Sequence, residues 1–511
     1  MAKRVVIDGN SLTIEKVHRV ACDGAKVVLS SGAKRAVRQC RKWYDTLIRR
    51  GECASGAAVQ RGDGGECTQP AGSERELETR VIHAHIAGTG SHCPEEVVRA
   101  SILCRVNTFA RGYGGAGLEL VDTLVELLNR GITPLMHEKG PVGTTGSMAQ
   151  VAEVLMGSGE AYYRDELLPS ALALKKAGLD SITLNHMEGL NLINGTYVMT
   201  GGLALGCYDA RNLLRNAMVA SAMTIDVLRI SRGVLAPLIH ELRPHPGQGA
   251  VAENIKRMAD QSTIGERETG GVPDAFSLQC SPQILGPSLD ALTYVNRQAQ
   301  IEMNAVTDEH LFFAGDKTCP SGGHAHGQPI AMAADFLAIA MAEVASLSER
   351  HINRLLNPAL SGLPGFLVEG EGLITGLASA QQTAAALVSE HKILTHPGVV
   401  DSISISADRE DHLSMGPLSV GKLRRIISNT ATVIAIEMLC AAQAIDFRKP
   451  LRPGRGTRAA HRTIRSVVSH LDNDRPLYPD IQQVTQLVED GSVIRAVERA
   501  VGPIGLGDMQ R

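Results

Sequence analysis

Residues 140–147 read Gly-Pro-Val-Gly-Thr-Thr-Gly-Ser, so two adjacent threonine hydroxyls sit between glycines, ahead of a helix-patterned stretch from Met148 to Gly157. Glycine lets a chain turn tightly, and the plainest reading is a bounded turn that enters a helix. It is not a phosphate-cradling loop, because no Gly-Lys-Ser/Thr follows at the required spacing. Gly88-Thr89-Gly90 fails as a dinucleotide fingerprint, since Cys93 stands where the third glycine belongs. The pairs His83/His85 and His324/His326 can each share a face on a strand or turn. Neither has a carboxylate or cysteine nearby at a ligand spacing, so packing or hydrogen-bonding histidines are favoured and no metal is expected. Glu410-Asp411-His412 follows Ser404-Ile405-Ser406. A solvated turn and a proton-transfer group are both open there.

The elements that must position these residues are mostly helices. The chain has 511 residues, 44% apolar and 21% charged, with a formal charge of −3. That length calls for two domains or one elongated helical body, and that charge gives no bias toward nucleic acid or anionic membrane. Aromatic residues make up 3%, with Trp43 the single tryptophan, so the core must be packed with Ala, Leu, Ile, Val and Met. No signal-peptide stretch or run of about 18 apolar residues is present. Ten scattered cysteines without a CxxC pair read as reduced thiols of a cytoplasmic protein. A short β-like start covers Arg4 to Ile7, and Gly51 to Ser73 is a glycine-rich loop of a length common in lids. Ile330 to Asn357 lacks Pro and Gly and predicts a helix of roughly 40 Å. Leu418 to Lys449 has a nearly all-apolar middle that other helices or another subunit must wrap; a homotetramer is expected. A last helical stretch ends near Val501.

Together these segments resemble the aromatic amino-acid ammonia-lyase and aminomutase family, from about Val81 to the C-terminus. The likeness is carried by His85-Ile86-Ala87-Gly88; Asn107 with Arg111-Gly112; Gly143 to Gly146; Glu188-Gly189-Leu190 with Asn194-Gly195-Thr196; His245-Pro246-Gly247-Gln248; Phe276-Ser277-Leu278-Gln279-Cys280-Ser281-Pro282-Gln283; Asn304 to Asp308; Ala331 to Asp335; Leu347 to Arg350; and Glu410 to Met415. The resemblance implies a mainly α fold, a long-helix bundle of the aspartase/fumarase-like type with a smaller mixed N-terminal domain. Residues 1–200 would form that domain, carrying the 51–73 loop and the 143–147 turn, and residues 201–511 the bundle and C-terminal helices. It also implies a tetramer, with each active site assembled from several subunits.

Family members make their own electrophile, a methylidene-imidazolone (MIO) ring, from an Ala-Ser-Gly tripeptide that loses two waters. The residues here are Thr144-Thr145-Gly146, followed by Ser147 where the family has aspartate. Thr145 offers the required β-hydroxyl, but the ring would carry an extra methyl on the carbon to be attacked. The family's loop tyrosine has no counterpart in Gly51 to Gly65, Tyr44 being the nearest; a place near the pocket is open to Tyr113, with ordinary packing the favoured reading. Tyr-Ser-Leu-Arg-Cys becomes Phe276-Ser277-Leu278-Gln279-Cys280, which removes a phenol and the arginine that clamps a substrate carboxylate. Gln-Glu-Asp-His becomes Arg409-Glu410-Asp411-His412, and Gly-Asn-Phe-His becomes Gly323-His324-Ala325-His326. The resemblance therefore assigns Thr144, Thr145, Gly146, His85, Asn194 and Glu410 to catalysis. It assigns Gln279, Phe276, Arg409, His326 and Gln283 to substrate binding. The expected function is a C–N lyase or aminomutase acting on a small or polar non-aromatic amine through a methyl-substituted MIO group. The alternatives are an MIO-independent acid–base enzyme (cyclase, isomerase or eliminating lyase) and a catalytically silent binding homologue.

Overall fold

The computed structural model describes residues 4–507 apart from 51–58, 61–65, 68–73, 141, 145, 147, 267–273, 321 and 370–374. Two compact units, each discontinuous in sequence, account for the chain. The first comprises residues 1–208, 296–335 and 397–421, and the second 209–295, 336–396 and 422–511.

Short strands belong to the first unit. β1 (Val5–Ile7) pairs in parallel with β2 (Val27–Leu29), and its buried–exposed–buried alternation is that of a strand with one wet face. β3 (Val59–Gln60) and β4 (Glu66–Cys67) pair antiparallel within the glycine-rich stretch. Of β5 (Thr89–His92), β6 (Ile132–Pro134), β7 (His137–Lys139), β8 (Glu160–Tyr163) and β9 (Glu166–Pro169), β5 pairs with β7, and β6, β8 and β9 form an antiparallel sheet in that order. Around them lie α1 (Glu74–Ala84), α2 (Glu95–Ala110), α3 (Ala149–Leu155) and α4 (Glu188–Ile193).

Helix α2 opens with Glu95 and Glu96, whose charges complement the positive end of the helix dipole. From Val97 to Ala110 every residue is buried, polar ones included. A polar group inside a core must find a partner, and these do. Arg99 donates to the carbonyls of Val20 and Ala21, and Asn107 accepts from Gly9 N and donates to the Met303 carbonyl. One cluster of aromatic rings lies in this unit. Tyr44, fully buried, meets Phe312 edge-on at 4.7 Å in a cluster with Cys40, Leu47 and Met187.

The long helices follow: α5 (Tyr197–Val227), then α6 (Pro246–Met258), the single turn α7 (Phe276–Gln279), α8 (Ser281–Glu302), α9 (Gln328–Leu356), α10 (Ala378–Leu394) and α11 (Gly416–Asp446). Four of them, α5, α8, α9 and α11, contribute residues to both units. Ala, Leu and Met, strong helix formers, dominate α9, which has no Gly or Pro after Pro329. In α11 every residue from Val433 to Ile445 is buried, as its apolar middle requires. Both α9 and α11 are long and apolar enough to cross a membrane, yet most of each apolar window is buried in the protein. That burial marks them as core helices. The helix Ser492–Val501 closes the C-terminal stretch.

Candidate active site

The Thr144–Gly146 turn follows β7. Just beyond that strand, Gly140 passes Gly88, with 3.9 Å between the Gly88 Cα and the position a Cβ on Gly140 would take. Two contacts then fix the turn. The Gly195 N–H donates to the Thr144 carbonyl at 3.2 Å. Gly143 lies against the segment from Glu410 to Leu413: a Cβ there would stand 3.1 Å from Leu413 Cδ2 and 3.9 Å from Glu410 Oε2. Gly146 is buried at φ +80°, a left-handed conformation open to glycine at little cost. Its carbonyl accepts from Ala149 N at 3.1 Å and so leads into α3. Thr145 and Ser147 lie outside the described residues.

Asn194 caps α4 in an extended conformation and is 8% exposed. Its Oδ1 is buried with no hydrogen-bond partner among the described residues. Leaving such an oxygen unsatisfied costs about 1–3 kcal/mol, so the surrounding structure must hold it there. That support begins at Arg105, which is fully buried and pairs with Asp308 at 2.7 Å. The guanidinium lies 3.7 Å from the Phe109 ring centroid and 4.4 Å from that of Tyr197. Arg105 Nη2 donates to the Asn191 carbonyl, which also accepts from the Tyr197 hydroxyl at 3.3 Å. Burial pushes the Asp308 carboxyl up, against the opposing pull of Arg105. Neither Arg105 nor Tyr197 is signalled by the sequence; Asp308 lies in a quoted segment but reads there without a role.

Glu410 is half-buried at the end of a turn in which its carbonyl accepts from Ile405 N at 3.1 Å. Arg409, next to it, is exposed. His326 and His412 are in contact, Nε2 to Nδ1 at 3.2 Å. Gln328 N donates to His326 Nδ1 at 3.3 Å, so His326 carries its proton on Nε2. Behind them the Met199 side chain fills the space between Gly327 and Gly416, its Sδ 2.5 Å from where a Cβ on either would stand. Met199 is in the first turn of α5, Gly327 directly precedes α9 and Gly416 begins α11. Three helix N-termini, each with partial positive charge, therefore converge here, an environment that favours an anion.

His85 follows α1, which is tied to α4 through the Glu78 carboxylate accepting from Met187 N and Gly189 N. Its Nδ1 lies 2.7 Å from the Val81 carbonyl. A carbonyl only accepts, so Nδ1 carries a proton, and in the neutral ring Nε2 is the nitrogen with the lone pair. Glu302, unmarked in the sequence, accepts from the Thr196 hydroxyl at 2.7 Å. Burial pushes its carboxyl up, outweighing Thr196 and the nearby His324.

Phe276, Gln279 and Gln283 belong to the second unit. Phe276 is exposed, Gln279 half-buried, and Gln283 has a buried Oε1 with no partner among the described residues. Tyr44 hydrogen-bonds His186 inside the core, and Tyr113 packs on Phe313 with centroids 5.0 Å apart. Both are packing residues. Several segments that carry the family likeness are also structural. Glu188 accepts from Gly117 N and Asn185 N, each at 2.7 Å, while Asn304 bonds Leu12 and its carbonyl accepts from Arg111.

The family profile described as aromatic amino acid lyase matches residues 12–466. The chain belongs to that family. It is 42% identical to the histidine ammonia-lyase of Alkaliphilus oremlandii over 503 residues, covering 98% of this chain and 99% of the relative. In three dimensions it matches the crystal structure of histidine ammonia-lyase from Trypanosoma cruzi with a TM-score of 0.91 and 36% identity, over 98% of this chain and 96% of that one. It matches tyrosine aminomutase from Streptomyces globisporus with a TM-score of 0.92 and 32% identity, over 98% and 99%. The mainly helical ammonia-lyase fold follows, and the protein is a carbon–nitrogen lyase of the ammonia-lyase type. The family is known for the MIO group formed from Ala-Ser-Gly.

Proposed function

We propose that this lyase eliminates ammonia from, or moves the amine of, a small or polar non-aromatic substrate, with a methyl-bearing MIO group made from Thr144-Thr145-Gly146. The observation that carries the reading is the buried Asn194 Oδ1, unpartnered among the described residues, beside a turn whose Thr144 carbonyl is already held by Gly195 N–H. The residues present fit the formation of the group. A hydrogen bond to the Thr144 carbonyl makes its carbon more electrophilic, and Gly146 at φ +80° supplies the backbone nitrogen that must close the ring. In that closure the Gly146 nitrogen bonds to the Thr144 carbonyl carbon. The carbonyl oxygen leaves as water with the amide hydrogens of residues 145 and 146, and the Thr145 hydroxyl leaves with its α-hydrogen as a second water.

When formed, the group supplies an electrophilic carbon for the substrate amine. Asn194 Oδ1 accepts a hydrogen bond from the amine, and Glu410, beside Gly143, exchanges the proton that elimination requires. His85 Nε2 is a second base. Loss of the clamping arginine at Gln279 leaves a substrate carboxylate, where there is one, to Arg409 and the helix N-termini of α5, α9 and α11. A homotetramer is part of the same reading. Phe336 and Ile339 are exposed one turn apart on α9, and the ring centroids of Tyr294 and Phe336 lie 6.0 Å apart. Such a pair suits burial against a second copy.

The test is the mass of the peptide spanning residues 144–146, followed by ammonia release from a panel of small amines. A peptide lighter by two waters, with ammonia released by the wild type and lost in Glu410→Gln, is expected. An unmodified peptide overturns the MIO reading and favours acid–base chemistry by His85 and Glu410.

A further inference from the structure

Deep in the second unit a histidine is held between a carboxylate and a backbone carbonyl. His351, on α9, is completely buried. Its Nδ1 lies 2.8 Å from Glu437 Oε1 on α11, and its Nε2 lies 2.9 Å from the backbone carbonyl of Ser277 on α7. Thr224 on α5 donates to the same Glu437 oxygen at 2.8 Å. A carbonyl and an ionised carboxylate only accept, whereas a neutral imidazole has a single N–H. Both contacts are therefore made at once when the ring is an imidazolium paired with Glu437.

The partner on α7 matters because that turn carries Phe276 and Gln279. Among the described residues, few polar contacts tie residues 274–280 to more distant parts of the chain. One is Asp274 with Ser231 N at 3.4 Å, and the other is Ser277 with His351. Ser281, buried at the start of α8, closes the turn on itself by donating to the Ser277 carbonyl at 2.8 Å, and lies 3.5 Å from His351 Nε2.

We propose that His351 is a positioning residue for the substrate-binding turn: donating to Glu437 and to the Ser277 carbonyl together, it fixes α7 and thereby Gln279. This rests on the reading of Gln279 as a substrate contact. Burial works against a charge on His351, but Glu437 and the Ser277 carbonyl outweigh it and hold the imidazole above the ordinary histidine value. Around the ring, α7, α5 and α8 present a carbonyl and the hydroxyls of Thr224 and Ser281. The titratable groups of α11 there are Glu437 and Cys440, whose thiol is driven up by burial and by Glu437. The stabilisation is thus complete below the unfolded histidine pKa and is lost as pH rises through the raised value. Above it, one of the two donations must go.

Hydrogen exchange read by mass spectrometry on the full-length protein follows the amides of residues 276–284 directly, without a substrate. In wild type their protection, corrected for intrinsic exchange, should fall on the alkaline side. In His351→Leu it should be lower by roughly tenfold below that transition, as for one lost buried hydrogen bond, and should not change with pH, so that the two proteins converge on the alkaline side. Should that variant fail to fold, Glu437→Gln carries the same test, since removing the carboxylate must move the alkaline transition to lower pH. Protection unchanged in His351→Leu, or a transition that stays put in Glu437→Gln, overturns the inference whatever the enzyme's reaction is. With the most readily deaminated amine of the panel, KM should rise by roughly tenfold in His351→Leu while kcat changes little. Lost protection with an unchanged KM would instead refute the assignment of Gln279 to the substrate, and with it the functional half of the proposal.

Discussion

Replacing Gly195 by alanine should leave the 144–146 tripeptide unreacted. Gly195 has φ +126°, and a Cβ there would stand 2.5 Å from Tyr197 Cε1 and nearer still to Cζ and Oη. Tyr197 has no room to withdraw, being 1% exposed with its ring against the Arg105 guanidinium. A non-glycine residue in such a conformation costs about 1–3 kcal/mol, and forcing a methyl into a filled space costs about as much again. Relief comes by moving the turn, which breaks the Gly195–Thr144 hydrogen bond, worth about 1 kcal/mol. About 4 kcal/mol then opposes the native turn, a population lower by roughly a thousandfold. The assay is the time course of water loss from the peptide spanning residues 144–146, alongside circular dichroism to confirm that the helices have formed. A folded Gly195→Ala protein that loses both waters as fast as wild type would refute the argument that this N–H and this conformation prepare the carbonyl.

Other outcomes follow from single groups. Glu410→Gln should lower ammonia release by about 10²–10⁴-fold, the usual contribution of a positioned general base, and a change within twofold would remove Glu410 from the chemistry. Thr145→Ser takes away the extra methyl and should raise turnover by about tenfold, or 1.4 kcal/mol of relieved crowding; slower turnover would count against the crowding argument. Asp308→Asn strands the buried Arg105 cation and should cost about 3–5 kcal/mol in denaturant unfolding, a loss under about 1 kcal/mol contradicting the ion pair's structural role. His391, 1% exposed on α10 with neither ring nitrogen hydrogen-bonded among the described residues, is depressed by burial to about 4 despite the neighbouring Glu390. The unfolded chain takes up this proton below about pH 6.5, so stability should fall as pH drops from there toward 4, by on the order of 2 kcal/mol. His391→Leu should flatten that acid limb in thermal melts, and an unaltered limb would assign the acid loss to other groups.

The long helices were legible because unbroken apolar stretches leave the backbone little alternative. The run from Ile330 to Asn357 became α9, Gln328–Leu356, and that from Leu418 to Lys449 became α11, Gly416–Asp446. Their ends shifted by two or three residues at most, as terminal turns do. The site was legible only through its family likeness. No periodicity announces that Gly195 meets Thr144 or that Glu410 approaches Gly143, since both contacts join distant parts of the chain. The supporting residues were the least visible. Arg105 looks like an ordinary charged position on a helix until Asp308, some two hundred residues later, explains its burial. His351 likewise acquires a meaning only from Glu437 and Ser277. Tyr44, the nearest tyrosine to the missing loop base, was claimed by the core because rings are so scarce in this chain.

The first unit is completed by residues 397–421, and this sets a timetable for the newborn protein. Thr144 and Gly146 leave the ribosome with the first third of the chain, whereas Glu410 and Leu413, which flank their turn, come more than half a chain length later. At about 5–20 residues per second that interval is tens of seconds. On the proposed reading, a ring formed before its end would lack the flank that Glu410 and Leu413 give the turn, so an electrophile made early would stand unsheltered.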